Sequence, residues 1–192
     1  MKLVILDRDG TINADSDDFV KTPDEWHPLP GALEAIARLN HAGWHVVIAS
    51  NQSGLGRGLF DVASLNAIHA KMHKMLAAVG GRIDAVFYCP HSPEELCTCR
   101  KPLPGLFEQI GSRFGVPLSG VPTAGDSVRD LVAGARAGCE PHLVLTGKSA
   151  SFAAGGQPES LPAGTVLHQD LAVFVDFILA RTTGVADLPQ KQ

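Results

Sequence analysis

The sequence lacks any long apolar run that could serve as a targeting or membrane segment. The run at residues 3–6 is too short for the core of a signal peptide, and two acids, Asp7 and Asp9, follow it at once. The apolar stretch at residues 171–180 is interrupted by Asp176 and is too short to span a bilayer. We therefore expect a cytoplasmic protein without a membrane partner.

Positive charge is also scarce. The chain has 16 Lys and Arg against 20 Asp and Glu, which gives a formal net charge of −4. Such a surface has no general attraction for nucleic acid or anionic membranes. No basic groove with stacking aromatic side chains is evident, so a nucleic-acid partner is not expected. Any anionic ligand has to be held by a few local positive groups.

Cysteine is limited to four residues, unevenly placed. Cys89, Cys97 and Cys99 cluster, while Cys139 stands apart. This distribution favours a metal site in a reducing compartment over a disulfide framework. Together with His91, the cluster offers three thiolates and an imidazole, enough for a closed, structural Zn²⁺ site that would fold the surrounding loop. The alternative is a set of free thiols, or a redox pair at Cys97 and Cys99.

What the sequence does contain is a regular alternation of short apolar runs and helix-like segments. Strands are predicted at residues 2–6, 44–49, 85–88, 122–124 and 142–145, with a weaker one at 165–167. Helices are predicted at residues 31–41, 61–79, 104–114, 128–137 and 171–180. The alternation indicates a parallel sheet covered on both faces. We expect one Rossmann-like α/β domain of three layers over residues 1–183, without a large cap, and a frayed tail at 184–192.

Two carboxylates, Asp7 and Asp9, follow the first strand in the segment LDRDGT. Residues two apart in an extended chain project to the same side, so both acids can face one site. Their repulsion favours a divalent cation, and oxygen ligands suit Mg²⁺. One carboxylate could attack phosphorus while the other exchanges protons with the leaving group and with water. The alternative is a pair of acids that cap a turn.

Two more polar segments follow other predicted strands. The segment after the second strand contains Ser50, Asn51, Gln52 and Ser53. Its side chains could donate to phosphate oxygens, although a polar turn is the alternative. Asp126 follows the fourth strand and could join Asp7 on the metal, or merely cap the next helix. Because all three segments follow strands, they should meet at the carboxyl edge of the sheet, where open α/β sheets bind ligands.

Together these motifs resemble the haloacid dehalogenase superfamily of phosphotransferases, with DxDGT after strand one, a hydroxyl residue after strand two, a later lysine and a late GD. The segments DRDGTIN, SNQSG and CPH…CTCRKP are more closely similar to its heptose bisphosphate phosphatases and to the related histidinol-phosphate phosphatases. The similarity covers about residues 2–145. It implies a hydrolase that removes the 7-phosphate of a small phosphorylated sugar, a heptose bisphosphate, and serves ADP-heptose formation for lipopolysaccharide. Separately, we expect a monomer.

The resemblance also implies roles for individual residues. Asp7 would be the nucleophile and Asp9 the general acid and base, while Mg²⁺ would be held by the side chains of Asp7 and Asp126 and the backbone carbonyl of Asp9. Ser50 and Lys101 would stabilise the transferring phosphoryl group. The other implied substrate contacts are Asp15, Ser16, Asp17, Asp18, Asn51, Gln52, Ser53 and, for the sugar, Arg100.

Three departures from the family pattern affect details of this assignment. Ser50 stands where threonine is common, but the hydroxyl is retained. Ser127 follows Asp126 where some relatives have lysine, which leaves the preferred anomer open. The stretch between His91 and Cys97 is short, which leaves the shape of the lid open.

Three other functions are alternatives to this one. A histidinol-phosphate phosphatase would use the same chemistry on a different leaving group. A nucleic-acid 3′-phosphatase would need a basic groove. A zinc-stabilised binding module would not need Asp7, Asp9 and Asp126 together.

Several aromatic and histidine residues are interpreted as structural. His69 and His73 lie four apart on a predicted helix and could bind a metal, but a solvated helix face is the preferred interpretation. Trp26 could line the substrate pocket or pin the polar loop at residues 15–30, and Trp44 is expected to be structural.

Overall fold

The computed structural model describes residues 1–154, 156 and 160–182. The predicted tail at 184–192 lies outside the described residues. The strands are β1 Leu3–Leu6, β2 His45–Asn51, β3 Ala85–Cys89, β4 Pro122–Gly125, β5 Glu140–Val144 and β6 Val166–His168. The α-helices are α1 Ala32–His41, α2 Ser53–Gly56, α3 Val62–Ala78, α4 Gly105–Phe114, α5 Val128–Arg136 and α6 Leu171–Thr182. Two 3₁₀ helices occupy Pro23–Glu25 and Gly147–Ala154.

The six strands form one parallel sheet in the order β3-β2-β1-β4-β5-β6. Leu6 of β1 pairs with Ile48 on one side and with Ala124 on the other. The chain winds outward from β1 in one direction through β3 and then resumes at β4 on the opposite side. The strand order therefore reverses between β1 and β4, and a crevice opens there at the carboxyl ends. The predicted parallel sheet with helices on both faces is confirmed.

Strand β1 is buried on both faces because its side chains alternate between two cores. Val4 and Leu6 belong to a cluster packed by α1, α3 and α6, whereas Leu3 and Ile5 belong to a second cluster packed by α4. All four side chains are at most 2% exposed. Burying each such side chain stabilises the fold by about 1.5–3 kcal/mol. The residue that follows Leu6 is consequently attached to a strand that is buried along its whole length.

Helix α3 carries the longest apolar face of the molecule's described helices. Its N-cap is Asp61, whose carboxylate accepts a 2.7 Å hydrogen bond from the Ser64 backbone N–H. The buried face is formed by Leu65, Ile68, Met72 and Leu76. No helix in the described ranges is both long and apolar enough to cross a bilayer.

The polar loop before α1 is pinned to the core by Trp26, which is completely buried. Helix α3 holds the same loop from outside, because Lys71 Nζ donates to the carbonyls of Pro23 and Trp26 at 2.7 and 2.8 Å. Trp26 therefore fixes the loop and does not line the site crevice. Trp44 is 7% exposed and packs in the same core, as predicted.

Candidate active site

Three carboxylates meet at the crevice between β1 and β4. Asp7 follows β1, Asp126 follows β4, and Asp130 lies in the first turn of α5. One oxygen from each lies within 4.8 Å of the others. The structure thus brings together Asp7 and Asp126, which are distant in sequence, and adds Asp130, which the sequence analysis did not single out.

Asp126 is available to this cluster because another residue caps the amino terminus of α5. The N-cap is Ser127, and its backbone N–H and its hydroxyl donate to Asp130 Oδ2 at 3.0 and 2.7 Å. The alternative that Asp126 caps this helix is therefore wrong. In the segment SVRD, Ser127 and Asp130 have the three-residue spacing of a capping box, with the acid at the third helical position. This spacing is the sequence pattern that could have identified Asp130.

Lys101 neutralises part of this negative charge. Its Nζ lies 2.7 Å from Asp7 Oδ1, 2.6 Å from Asp130 Oδ1 and 2.7 Å from the Ala49 carbonyl, so all three N–H groups have partners. The side chain is 2% exposed. Burial alone would lower the pKa of Lys101, but the carboxylates of Asp130 and Asp7 outweigh that effect and raise it. Lys101 is a permanent cation beside the proposed nucleophile.

Asp126 is supported by the segment that follows β5. The backbone N–H of Lys148 donates to Asp126 Oδ2 at 2.7 Å, and the Ser149 hydroxyl donates to the Asp126 carbonyl at 2.6 Å. A Cβ on Gly10 or on Gly147 would lie 2.1 Å from Asp126 Oδ2, so both positions require glycine. The sequence analysis missed this segment, although it begins directly at the carboxyl end of a predicted strand.

Burial and the crowding of carboxylates both change the acidities of the cluster. Burial, together with the neighbouring carboxylates, raises the pKa of Asp7 well above its ordinary value, even though Lys101 opposes the shift. Burial, followed by the charge of Asp130, raises the pKa of Asp126 to about 7. Crowded carboxylates with hard oxygen ligands at one side of a crevice fit a magnesium ion, which would relieve the repulsion.

Asp9 points to a different set of partners. Its carboxylate accepts hydrogen bonds from Arg8, from Asn13 Nδ2 at 2.9 Å and from Gln52 Nε2 at 2.8 Å. Burial would raise the pKa of Asp9, but the Arg8 guanidinium and these hydrogen bonds lower it overall. The side chain of Asp9 is not part of the three-carboxylate cluster. The backbone carbonyl remains the group through which Asp9 was expected to hold Mg²⁺.

The end of β2 and the residue that follows it form one wall of the crevice. Ser50 is 2% exposed, and its Oγ accepts a 2.8 Å hydrogen bond from Gln52 Nε2. Gln52 therefore connects the hydroxyl of Ser50 to the carboxylate of Asp9. Asn51 instead binds the backbone of Lys101. The side chains of Ser50, Asn51 and Gln52 therefore all make hydrogen bonds within the site.

A cavity of about 350 Å³ opens above these groups. Among the expected substrate contacts, its lining includes Asp15, Ser16, Asp17, Ser50, Asn51, Gln52, Ser53, Arg100 and Lys101. Asp18 is exposed and lies outside the lining. Residues that the sequence analysis missed include Phe19, Val20, Arg57, Arg129 and Lys148. Arg57 stands in no motif, so only the fold reveals its position in the lining.

The cysteine cluster forms a compact group on the loop between β3 and α4. Ligand atoms of Cys89, His91, Cys97 and Cys99 all lie within 4.8 Å of one another. The Cys89 and Cys97 sulfurs are 3.8 Å apart, and His91 Nδ1 lies 3.5 and 3.3 Å from the Cys89 and Cys99 sulfurs. A tetrahedral ion with Zn–S bonds of about 2.3 Å would place two sulfurs about 3.8 Å apart, so the group fits zinc. None of the four cysteines is in a disulfide.

This loop also delivers Arg100 to the cavity. Arg100 Nη1 donates to the His91 carbonyl at 3.3 Å, and Pro93 lines the same cavity. The Gly56 N–H of α2 donates to the Pro90 carbonyl at 2.8 Å, which attaches the loop to the segment after β2. Cys139 is buried near the end of α5 and far in sequence from the cluster, as expected.

The solvated-face interpretation is wrong for His69 and holds for His73, which is exposed. His69 is half-buried, and its Nε2 lies 3.1 Å from Arg8 Nη1. Burial, together with the charges of Arg8 and His73, lowers the pKa of His69 to about 4. The rotation of α3 about its axis places His69 against the loop that carries Arg8. The number of polar residues on a helix face does not reveal such a contact.

The fold and the site define a haloacid-dehalogenase-like phosphotransferase. A model described as polynucleotide kinase 3 phosphatase matches residues 2–120, and one described as HAD-hydrolase-like matches residues 98–169. The D-glycero-beta-D-manno-heptose-1,7-bisphosphate 7-phosphatase of Bordetella bronchiseptica is 59% identical over 179 residues, which cover 93% of this chain and 98% of the relative. The Pseudomonas aeruginosa phosphatase of the same name is 50% identical over 177 residues, 92% of this chain and 97% of the relative.

A solved structure gives the same result. The crystal structure of D,D-heptose 1.7-bisphosphate phosphatase from B. bronchiseptica, complexed with magnesium and phosphate, is 58% identical and superposes with a TM-score of 0.90. The match covers 94% of this chain and 99% of that one. The chain belongs to the D-glycero-beta-D-manno-heptose-1,7-bisphosphate 7-phosphatase family of haloacid-dehalogenase-like phosphatases.

Proposed function

We propose that this chain removes the 7-phosphate of D-glycero-D-manno-heptose 1,7-bisphosphate through an aspartyl-phosphate intermediate, within ADP-heptose formation for lipopolysaccharide. The observation that carries the proposal is the buried contact between Lys101 and Asp7, at 2.7 Å, inside a polar cavity of about 350 Å³. The contact puts a fixed cation beside the carboxylate that would attack phosphorus. Phosphoryl transfer depends mainly on such positioning and charge stabilisation.

In the proposed reaction, Asp7 attacks the phosphorus atom of the 7-phosphate and the bond from phosphorus to the sugar oxygen breaks. Asp9, whose lowered pKa favours the carboxylate in the free protein, first takes up a proton from solvent and then gives it to the leaving oxygen. The same Asp9, now a carboxylate, takes a proton from water, and that water attacks the phosphorus of the acyl phosphate. Inorganic phosphate leaves and Asp7 is restored as a free carboxylate. Ser50 and Lys101 would stabilise the oxygens of the transferring group throughout.

The proposed metal is Mg²⁺, held by the side chains of Asp7 and Asp126 and the backbone carbonyl of Asp9. When bound, it would neutralise phosphate oxygens and favour their approach to the carboxylates. The proposal is supported by the meeting of three carboxylates with a single ammonium group, that of Lys101. Burial first, and the neighbouring carboxylates second, raise the pKa values of Asp7 and Asp126. Asp130 already accepts hydrogen bonds from Lys101 and Ser127, so its proposed role is to hold the lysine.

We further propose that Cys89, His91, Cys97 and Cys99 bind one structural Zn²⁺. All four positions would be filled by protein ligands, so none would remain for catalytic water. The ion would fix the loop that carries Arg100 and Lys101. Because the ion would be bound by thiolates, the site would need a reducing compartment, and the location we propose is the cytoplasm.

The test is a comparison of substrates with Mg²⁺ present: both anomers of the heptose 1,7-bisphosphate, histidinol phosphate, fructose 1,6-bisphosphate and a 3′-phosphorylated oligonucleotide. We expect the highest kcat/KM for a heptose bisphosphate. Preference for histidinol phosphate or for the oligonucleotide would overturn the proposed substrate. Asp7→Asn should abolish turnover on every substrate with the circular dichroism spectrum unchanged, and retained activity would overturn the proposed nucleophile.

A further inference from the structure

Arg8, between the two motif acids, is a buried charge with few partners. The side chain is 1% exposed, and a buried guanidinium is costly unless its N–H groups are paired. Most of its donors face Asp9: Nη2 lies 2.9 Å from both carboxylate oxygens and Nε lies 3.1 Å from Oδ1. The Arg8 guanidinium therefore supplies the largest number of the hydrogen bonds that orient the Asp9 carboxylate.

The other end of the same guanidinium is held by helix α3. Arg8 Nη1 lies 3.1 Å from His69 Nε2. Arginine has donors only, so His69 must accept at Nε2 and carry its ring proton on Nδ1. Within the part of the chain that the structure describes, His69 is the acceptor for Nη1, while Nη2 and Nε are taken by Asp9.

We propose that His69 is a positioning residue for Asp9 and acts through Arg8. The inference rests on the proposed function, in which Asp9 is the general acid and base. A hydrogen-bond acceptor at Nη1 restricts the rotation of the Arg8 guanidinium plane. The orientation of that plane in turn restricts the position of the Asp9 carboxylate. Without the acceptor, Nη1 is an unpaired buried donor, and the guanidinium turns to find another partner. Asp9 then moves with it, away from the reach of the leaving oxygen.

Arg8 does not act alone on Asp9, and this sets the size of the effect. Asn13 and Gln52 each donate to one carboxylate oxygen, so Asp9 keeps two anchors when Arg8 turns. General acid–base catalysis contributes roughly 10²–10⁴-fold to a rate, and a partly displaced acid loses a part of that. We expect loss of the His69 contact to cost about 10-fold in kcat/KM on the sugar substrate.

The experiment compares two amide substitutions at His69. His69→Gln keeps an acceptor near the position of Nε2, whereas the side chain of His69→Asn is too short to reach Arg8. Both amides are neutral, and Asn has a lower helix propensity than Gln, so differences in folding have to be followed. His73→Leu is the matched control, because His73 lies one turn further along α3 and is exposed. Melting temperatures of all variants are measured alongside activity.

The readout is kcat/KM on two substrates with different leaving groups. A sugar alkoxide needs a proton from Asp9, whereas nitrophenolate from p-nitrophenyl phosphate leaves without one. His69→Asn should lose about 10-fold on the heptose bisphosphate and at most about 2-fold on p-nitrophenyl phosphate. His69→Gln should stay within about 3-fold of the unmodified protein on both substrates, and His73→Leu should match it.

Two results would overturn the inference. One is an equal loss on both substrates in His69→Asn, which would mean general damage to the site. The other is no loss on the sugar substrate. If the unmodified protein does not cleave the heptose bisphosphate, the proposed substrate fails, and the same comparison is made with the sugar phosphate that it does cleave. The two failures are therefore distinguishable.

Discussion

Asn51 holds Lys101 by its main chain. Asn51 Nδ2 donates to the Lys101 carbonyl, and Asn51 Oδ1 accepts from the Lys101 N–H, both at 3.0 Å. The pair joins the end of β2 to the cysteine loop. The lysine is therefore positioned from two directions, by a side chain on the sheet and by the loop that the proposed zinc ion would fold.

Replacement of Lys101 by methionine should lower kcat by about 10²–10³-fold, since it removes the fixed charge beside the phosphoryl group. The variant also removes the ion-pair partner that Asp7 and Asp130 share. Steady-state kinetics at saturating Mg²⁺ is the measurement, and Lys74→Met, at an exposed position of α3, is the control. A loss smaller than about 5-fold would contradict the role assigned to Lys101.

Asp126→Asn should raise the Mg²⁺ concentration needed for half-maximal activity by roughly 10-fold or more, because a neutral amide is a weaker ligand for a hard cation. Activity is titrated with MgCl₂ at constant ionic strength. Asp24→Asn, an exposed change outside the cavity, should leave the titration unchanged. An unaltered Mg²⁺ requirement in Asp126→Asn would remove Asp126 from the proposed ligand set.

The purified protein should contain about one zinc ion per chain after extensive dialysis. Cys97→Ser should lose most of the zinc and melt roughly 5 °C lower, because metal binding and folding of the loop are coupled. Cys139→Ala should keep its zinc, because Cys139 lies outside the cluster. Zinc content is measured by plasma mass spectrometry. Metal-free protein of undiminished stability would rule out the structural role.

A buried pair of histidines should make the fold sensitive to acid. His142 Nδ1 and His168 Nε2 are 2.9 Å apart beside Phe174 and Phe177. Burial, with the charges of His168 and Arg181, lowers the pKa of His142 to about 3, and burial lowers that of His168 to about 4. Below pH 6.5 the unfolded chain binds protons that the folded chain refuses, so stability is lost as the pH falls from about 6.5 towards about 4.

The test is a double variant, His142→Asn with His168→Gln, whose amides occupy the positions of the two bonded nitrogens and do not titrate. Urea unfolding between pH 4.5 and 7.5 gives the free energy of unfolding. The slope in the unmodified protein should exceed that of the variant by up to about 1.4 kcal/mol per pH unit for each histidine. Parallel slopes would show that other groups govern the acid sensitivity.

Most of the architecture was predictable because apolar periodicity reports burial directly. All six strands and the five longer helices lie close to their predicted ranges. The short helix Ser53–Gly56 was missed, since four residues are too few for a periodic signal. Its start is instead held by contacts to the cysteine loop, which depend on the folded structure.

The site residues that carry recurrent motifs could be predicted, whereas those placed by tertiary contact could not. Asp7 and Asp126 each end a strand, so sheet topology brings them together. His69 reaches Arg8 across 61 positions of sequence, and the rotation of α3 that allows this depends on how its apolar face packs. Lys148 reaches Asp126 through a backbone N–H, for which the residue type gives no signal.

Because β1 is buried on both faces, the position of the proposed nucleophile at its end depends on how this strand packs. A substitution that loosens Leu6 would shift the adjacent Asp7 before it unfolded the domain, because no flexible residue separates the two. Core variants of this strand should thus fail as enzymes at temperatures where they are still folded.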